Sequence, residues 1–218
     1  MPATRNYSRV DRWFTQVGKA LNTLAGAQGV ADRPSPAHQV TDAGADALSE
    51  AERRHAAGLM RVNHAGEICA QALYQGQALC ARSAGVERRM QRAAAEEADH
   101  LAWCKERLEE LGSAPSRLDP LWYALSLTLG AGAAALGDRM SLGFVAATEE
   151  QVGAHLESHL RSLPERDARS RAVVEQMLRD ELQHARAALE AGGADFPRPI
   201  KQAMALTSKV MTHLSYRV

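Results

Sequence analysis

The stretch RDELQHARA, residues 179–187, sets a glutamate three residues before a histidine, and EEADHLAWC at 96–104 does the same. On a helix, positions i and i+3 share one face a turn apart, so Glu181 with His184, and Glu97 with His100, can each grip one ion. Glu67 stands 30 residues before Glu97, and Glu149 stands 32 before Glu181, each in an otherwise apolar helical stretch. The chain thus reads as two halves on one plan: a helix with one glutamate, then a helix with Glu-x-x-His. Folded together, two such halves deliver four carboxylates and two imidazoles to one point.

A single pair carries little weight. With 16 Glu and 8 His among 218 residues, about 0.6 Glu-x-x-His pairs arise by chance. A third pair, Glu52 and His55, sits beside Arg53 and Arg54 in the first turn of a helix and reads as a solvated face. Chance does not supply two pairs on alternate helices, each preceded at matched distance by a glutamate. That is the ferritin-like di-metal carboxylate pattern of helix bundles. Four inward carboxylates left unpaired would cost on the order of several kcal/mol each, whereas two divalent cations balance their charge. Carboxylate and imidazole donors without thiolate favour iron or manganese over structural zinc.

The surrounding pattern is helical throughout. Ser49 with Glu52 forms a capping box, so a long helix begins near Glu50 and runs towards Arg82. A second spans Val86 to Leu111, a third runs from Asp119-Pro120 towards Leu163, and a fourth covers Glu165 to Ala191. A shorter last helix follows Pro199. The fold class is all-α: a ferritin-like four-helix bundle with additional N- and C-terminal helices. Val10, Trp13, Phe14, Val17, Leu21 and Leu24 predict an amphipathic N-terminal helix, and residues 25–48 a loop, ahead of a metal-binding domain over 49–218.

Lys+Arg and Asp+Glu both number 26, which gives no sign of a nucleic-acid partner. Cys69, Cys80 and Cys104 form no C-x-x-C pair and read as small core residues in a reducing compartment. Residues 121–137, LWYALSLTLGAGAAALG, carry no charge over 17 positions, the lower edge for spanning a bilayer. They predict a buried core helix, with an apolar wall for a hydrophobic ligand or a membrane-facing surface as the sharper alternative. No acid follows Phe196, so the last helix is basic and amphipathic. Its Lys209, His213 and Arg217 are candidate contacts for a lipid headgroup or a dinucleotide phosphate reductant.

Metal-bound imidazoles normally donate their second N–H to a carboxylate or carbonyl. Asp180 is the candidate for the histidine of the opposite helix, His155 and His64 flank the site, and Asp99 suits a neighbouring arginine. Glu149 is preferred to Glu150 because its distance to Glu181 better matches the first half; the two point about 100° apart and cannot serve one site.

With RVNHAGE at 61–67, EADHL at 97–101, PLW and LGAGAAALG within 120–137, TEEQVGAH at 148–155 and RDELQHA at 179–185, the chain resembles the demethoxyubiquinone hydroxylase family of coenzyme Q biosynthesis over residues 50–218. The resemblance implies two irons held by Glu67, Glu97, His100, Glu149, Glu181 and His184. It implies O2-dependent hydroxylation of a demethoxylated polyprenyl quinol, with electrons from NADH or the quinol itself. It further implies a peripheral place on the cytoplasmic face of a bacterial inner membrane, among other ubiquinone-biosynthesis proteins; a mitochondrial inner membrane is the lesser alternative. Asn63 stands where members often have Asp, and Leu156 where others have Tyr. The residues alone leave open an iron-storage or ferroxidase protein, a manganese catalase, or a metal-free helical interaction module.

Overall fold

A computed structural model describes residues 18, 20–24, 31–40 and 48–218. Six long helices make up most of it: α1 (Glu50–Cys80), α2 (Ala84–Glu110), α3 (Asp119–Ala135), α4 (Asp138–Ser162), α5 (Ala168–Glu190) and α6 (Arg198–Ser215). Residues 20–24 are helical, while most of the amphipathic helix expected over 10–24 lies outside the described residues. Within the expected loop, Pro36–Gln39 form a short 3-10 turn.

Local chemistry sets the boundaries. At α1 the Ser49 side chain accepts from the Glu52 N–H at 3.3 Å and the Glu52 carboxylate accepts from the Ser49 N–H at 2.8 Å, closing the capping box. Ser83 caps α2 through the Val86 N–H, and Asp167 caps α5 through the Ser170 N–H.

The single helix expected from Asp119 to Leu163 is two. It breaks at Gly137, whose φ of 111° is open to glycine alone and turns the chain back on itself. Asp119 lies beside His64, and Gly130 against Leu73, so α3 runs parallel to α1. Gln77 reaches Ser141, and Asn63 reaches His159, so α4 runs antiparallel to α1. The chain therefore runs up α1, down α2, back up along α3, down α4 and up α5. The bundle proper is α1, α2, α4 and α5, with α3 as the long crossover that ferritin-like folds require.

The glycine-rich apolar stretch is a contact device. A Cβ at Gly76 would strike the Leu127 carbonyl, and one at Gly130 the Leu73 carbonyl, so the two backbones touch. This overturns the expectation of a core helix. Trp122, Tyr123, Ser126, Gly130 and Ala134 are buried, but Leu121, Leu125, Leu129 and Leu136 remain exposed in a row on the other side. Among the described residues no helix is long and apolar enough to cross a membrane. The expectation of three core cysteines is also corrected: Cys104 is buried, Cys69 half-buried and Cys80 exposed.

A small apolar cluster of Ile68, Ala72, Leu101 and Tyr123 joins α1 and α2 to α3, and two larger ones fill the bundle. One gathers Met60, Trp103, Leu108, Leu156, Val173 and Met177; the other gathers Tyr74, Met90, Leu142, Val145 and Ala188. By sequence position along each helix, the six donor side chains fall between them. This places a polar centre in the middle of a dry bundle.

Candidate metal centre

Each bundle helix contributes to one buried cluster. Glu67 comes from α1, Glu97 and His100 from α2, Glu149 from α4, and Glu181 and His184 from α5. Five of the six are buried, with Glu97 and His100 at 0% exposure; His184 is the wettest, its side chain 15% exposed. Their donor atoms fall into two overlapping groups, Glu67–Glu97–His100–Glu181 and Glu97–Glu149–Glu181–His184, each lying within 4.8 Å. Glu97 and Glu181 belong to both. The arrangement could hold two cations, with Glu97 and Glu181 common to both groups and one further glutamate and one histidine in each.

The approach distances are those of co-ligands. His100 Nδ1 stands 2.9 Å from Glu97 Oε2, 3.2 Å from Glu181 Oε1 and 3.7 Å from Glu67 Oε2. His184 Nδ1 stands 3.1 Å from Glu97 Oε1 and 3.7 Å from Glu181 Oε2. Yet both Nδ1 atoms, both Glu97 oxygens and Glu181 Oε2 lack a hydrogen-bond partner: they converge without the alignment of a bond. Buried polar atoms are nearly always satisfied. Orphans clustered face to face, all from the donor set of a divalent transition metal, fit an ion between them.

The outward ring nitrogens are held by carboxylates from the opposite helix. His100 Nε2–H donates to Asp180 Oδ2 at 2.9 Å, and His184 Nε2–H donates to Glu96 Oε2 at 2.8 Å. Each bond fixes the tautomer that leaves Nδ1 with its lone pair facing inwards. Asp180 precedes Glu181 and holds the histidine of α2, while Glu96 precedes Glu97 and holds the histidine of α5. The sequence reading named Asp180 and missed Glu96, although the same adjacency pointed to both.

A further contact was not legible in the sequence. The hydroxyl of Tyr74, seven residues beyond Glu67, donates to Glu149 Oε1 inside the core. The corresponding position seven residues beyond Glu149 is Leu156, which has no hydroxyl to offer.

Electrostatics report a cluster starved of positive charge. Burial, followed by repulsion from neighbouring carboxylates, pushes Glu67 and Glu149 well above the ordinary range. Burial would raise Glu97 too, but His100 and His184 outweigh it and hold Glu97 low. Burial alone would lower the two imidazoles; the carboxylates facing them instead raise His100 well above its usual value and lift His184 to about 12. Protons thus gather where cations would sit.

The remaining expected residues fall elsewhere. Glu150 points away and pairs with Lys201 at 2.6 Å, which leaves Glu149 as the inward residue of the two. His155 does not reach the ligands: it packs edge-on against His159 with ring centroids 4.0 Å apart, because six residues along α4 carry it well past Glu149. His64 faces Asp119 at 3.1 Å. His55 is half-buried rather than fully solvated; it bonds the Tyr216 hydroxyl at 2.7 Å and Ser162 Oγ at 2.9 Å. Lys209 and His213 lie exposed on α6 and Arg217 just beyond its end, with Arg217 donating to His213.

Comparison with known proteins agrees with this architecture. The family model described as ubiquinone biosynthesis protein COQ7 matches residues 54–215. The chain belongs to the COQ7 family. COQ7 relatives in Stutzerimonas stutzeri (strain A1501) and Ectopseudomonas mendocina (strain ymp) are each 56% identical, and one in Pseudomonas aeruginosa (strain LESB58) is 53% identical. Each similarity covers 100% of both chains, and all three relatives are named 3-demethoxyubiquinol 3-hydroxylase. The family model starts beyond the N-terminal segment, but these COQ7 relatives align through it.

Proposed function

We propose that the chain is a di-iron 3-demethoxyubiquinol 3-hydroxylase, using O2 and electrons from NADH to place one hydroxyl on the ring of a polyprenyl quinol. The observation that carries this reading is the pair of overlapping donor groups sharing Glu97 and Glu181. Glu67, Glu97 and Glu181 with His100 would hold one iron, and Glu97, Glu149 and Glu181 with His184 the other. Iron bound there supplies the activation of O2 from which one oxygen atom reaches the ring.

The chain's own residues do the rest. Four carboxylates balance the charge of two divalent ions, so the loaded centre is formally neutral and stable in a dry bundle. Asp180 and Glu96 hold the imidazoles in the metal-facing tautomer. Met60, Trp103, Met177 and the second apolar cluster exclude bulk water, which keeps the oxidising equivalents for the substrate. Two electrons and two protons are consumed per turnover, and the second oxygen atom leaves as water.

We place the protein peripherally on a membrane, where a polyprenyl substrate resides. The exposed row Leu121, Leu125 and Leu129 on α3, continued by Leu136 at its C-terminal end, supports this. So does α6, which presents Leu206, Val210 and Leu214 beside Lys209 and Arg217. The test is turnover under 18O2. Iron-loaded protein, NADH and a short-chain demethoxyubiquinol analogue should yield product carrying one labelled oxygen. Unlabelled product, or none from protein holding two irons, contradicts the reading.

A further inference from the structure

Every donor of the cluster lies within the family-model match, yet a residue from the preceding segment reaches the cluster's outer edge. Arg33 Nε donates to Asp99 Oδ2 at 2.7 Å, and its Nη1 donates to Asp180 Oδ2 at 2.8 Å. The same Asp180 oxygen accepts from His100 Nε2. The segment is itself anchored. The Asp32 N–H donates to Asp99 Oδ1 at 2.8 Å, the Trp103 indole N–H donates to the Arg33 carbonyl at 3.1 Å, and the guanidinium stands 4.8 Å from the centre of that indole. The turn at Pro36–Gln39 then packs against α5 and α2.

We infer that Arg33 is a positioning residue for the metal centre. Its guanidinium clamps Asp99 on α2 to Asp180 on α5, and through Asp180 it holds His100 Nδ1 aimed at the cluster. The inference rests on the metal reading above. Asp99 immediately precedes His100 and Asp180 immediately precedes Glu181, so the clamp fixes the spacing of two donors at once. A guanidinium suits the task because its donors diverge in one rigid plane and can serve two carboxylates together; an ammonium is a point charge without that fork.

The arrangement also separates positioning from stability. The Arg33 side chain is 41% exposed, while Asp99 and Asp180 are 7% and 15% exposed. Without the guanidinium, Asp99 keeps the Asp32 N–H and Asp180 keeps Gln176 and His100, so neither buried carboxylate is left without a donor, and the loss acts first on where Asp180 and His100 point. Among the described residues no arginine bridges the corresponding carboxylate of the other half: Glu96, which holds His184, is 55% exposed.

The experiment uses the full chain, stripped of metal and titrated with cobalt(II), as wild type, Arg33→Ala and Arg33→Lys. Three quantities are read: the rate of cobalt release to a chelator, the visible cobalt absorption, and the melting temperature of the metal-free protein. In Arg33→Ala one of two cobalt ions should leave about ten- to a hundredfold faster, with altered absorption and a metal-free melting temperature close to wild type. Arg33→Lys should fall between. Unchanged release and absorption in Arg33→Ala, with wild type binding two ions, overturn the inference alone. A metal-free melting temperature that falls in step with cobalt retention, with no rescue by Arg33→Lys, overturns it as well. Wild type that binds no cobalt overturns the metal reading and this inference together. Should Arg33→Ala not fold, Arg33→Lys carries the comparison, because it keeps the charge and loses the fork. Wild-type release rates in it would then contradict the clamp.

Discussion

Tyr74 on α1 donates its hydroxyl to Oε1 of Glu149 on α4, a bond that joins the two halves of the bundle at the carboxylate–histidine cluster. Burial, reinforced by the negative Glu149, pushes the phenol well above its ordinary pKa, so it stays a donor. Tyr74→Phe keeps the ring in its apolar cluster and deletes only this bond. We expect metal affinity at the Glu149–His184 position to weaken by about tenfold or more, measured by chelator competition. An unchanged affinity would show that Glu149 is oriented by packing alone.

The two outer carboxylates should differ in weight. Asp180 is 15% exposed and receives both His100 and Arg33, which hold its pKa down to about 2 against the opposing effect of burial. Glu96 is 55% exposed and holds His184 from the solvent side. Water can replace an exposed acceptor but not a buried one. Asp180→Asn should therefore weaken metal binding by about tenfold or more, and Glu96→Gln by clearly less. Equal losses in parallel titrations would contradict this asymmetry.

Stability should fall in mild acid through His159. It is buried, bonded through Nδ1 to Asn63 Oδ1 at 2.8 Å, and burial together with His155 and His55 lowers its pKa from 6.5 to about 3. The folded state keeps it neutral while the unfolded chain takes up a proton below pH 6.5. Its contribution is present above that value and is lost as pH falls towards 3, by up to about 1.4 kcal/mol per pH unit. Urea melts at pH 6.5 and pH 5 should show a smaller difference for His159→Gln than for wild type. Identical slopes would mean that His159 is not the titrating group.

The leucine row on α3 gives a membrane prediction. Leu125 and Leu129 are 50% and 54% exposed, so glutamates there face solvent and should leave the melting temperature nearly unchanged. Co-sedimentation with anionic phospholipid vesicles should drop sharply in Leu125→Glu/Leu129→Glu. Undiminished co-sedimentation would shift the docking surface off α3.

How much of this was visible in the residues depends on range. The two Glu-x-x-His pairs and their upstream glutamates sit at helical spacings, and that local periodicity is enough to put six donors on four inward faces. Gly137 escaped because one glycine in an apolar run is compatible with a continuous helix; only its positive φ, set by the crossover, makes it a break. The α3 stretch looked like core because composition cannot say which side of a helix meets a partner. In the fold its glycines touch α1 and its leucines do not. Arg33 and Tyr74 act across contacts 66 and 75 residues apart, which no spacing rule reaches. His155 shows the opposite failure, since nearness in sequence to Glu149 did not become nearness in space.

The most direct test of the metal centre is metal content. Protein purified anaerobically and reconstituted with iron would be assayed alongside Glu97→Ala and Glu181→Ala, the two residues common to both donor groups. Two irons per chain in wild type, falling in both variants, is the expected result. Wild type that takes up neither iron nor manganese, or variants that still hold two ions, would contradict it.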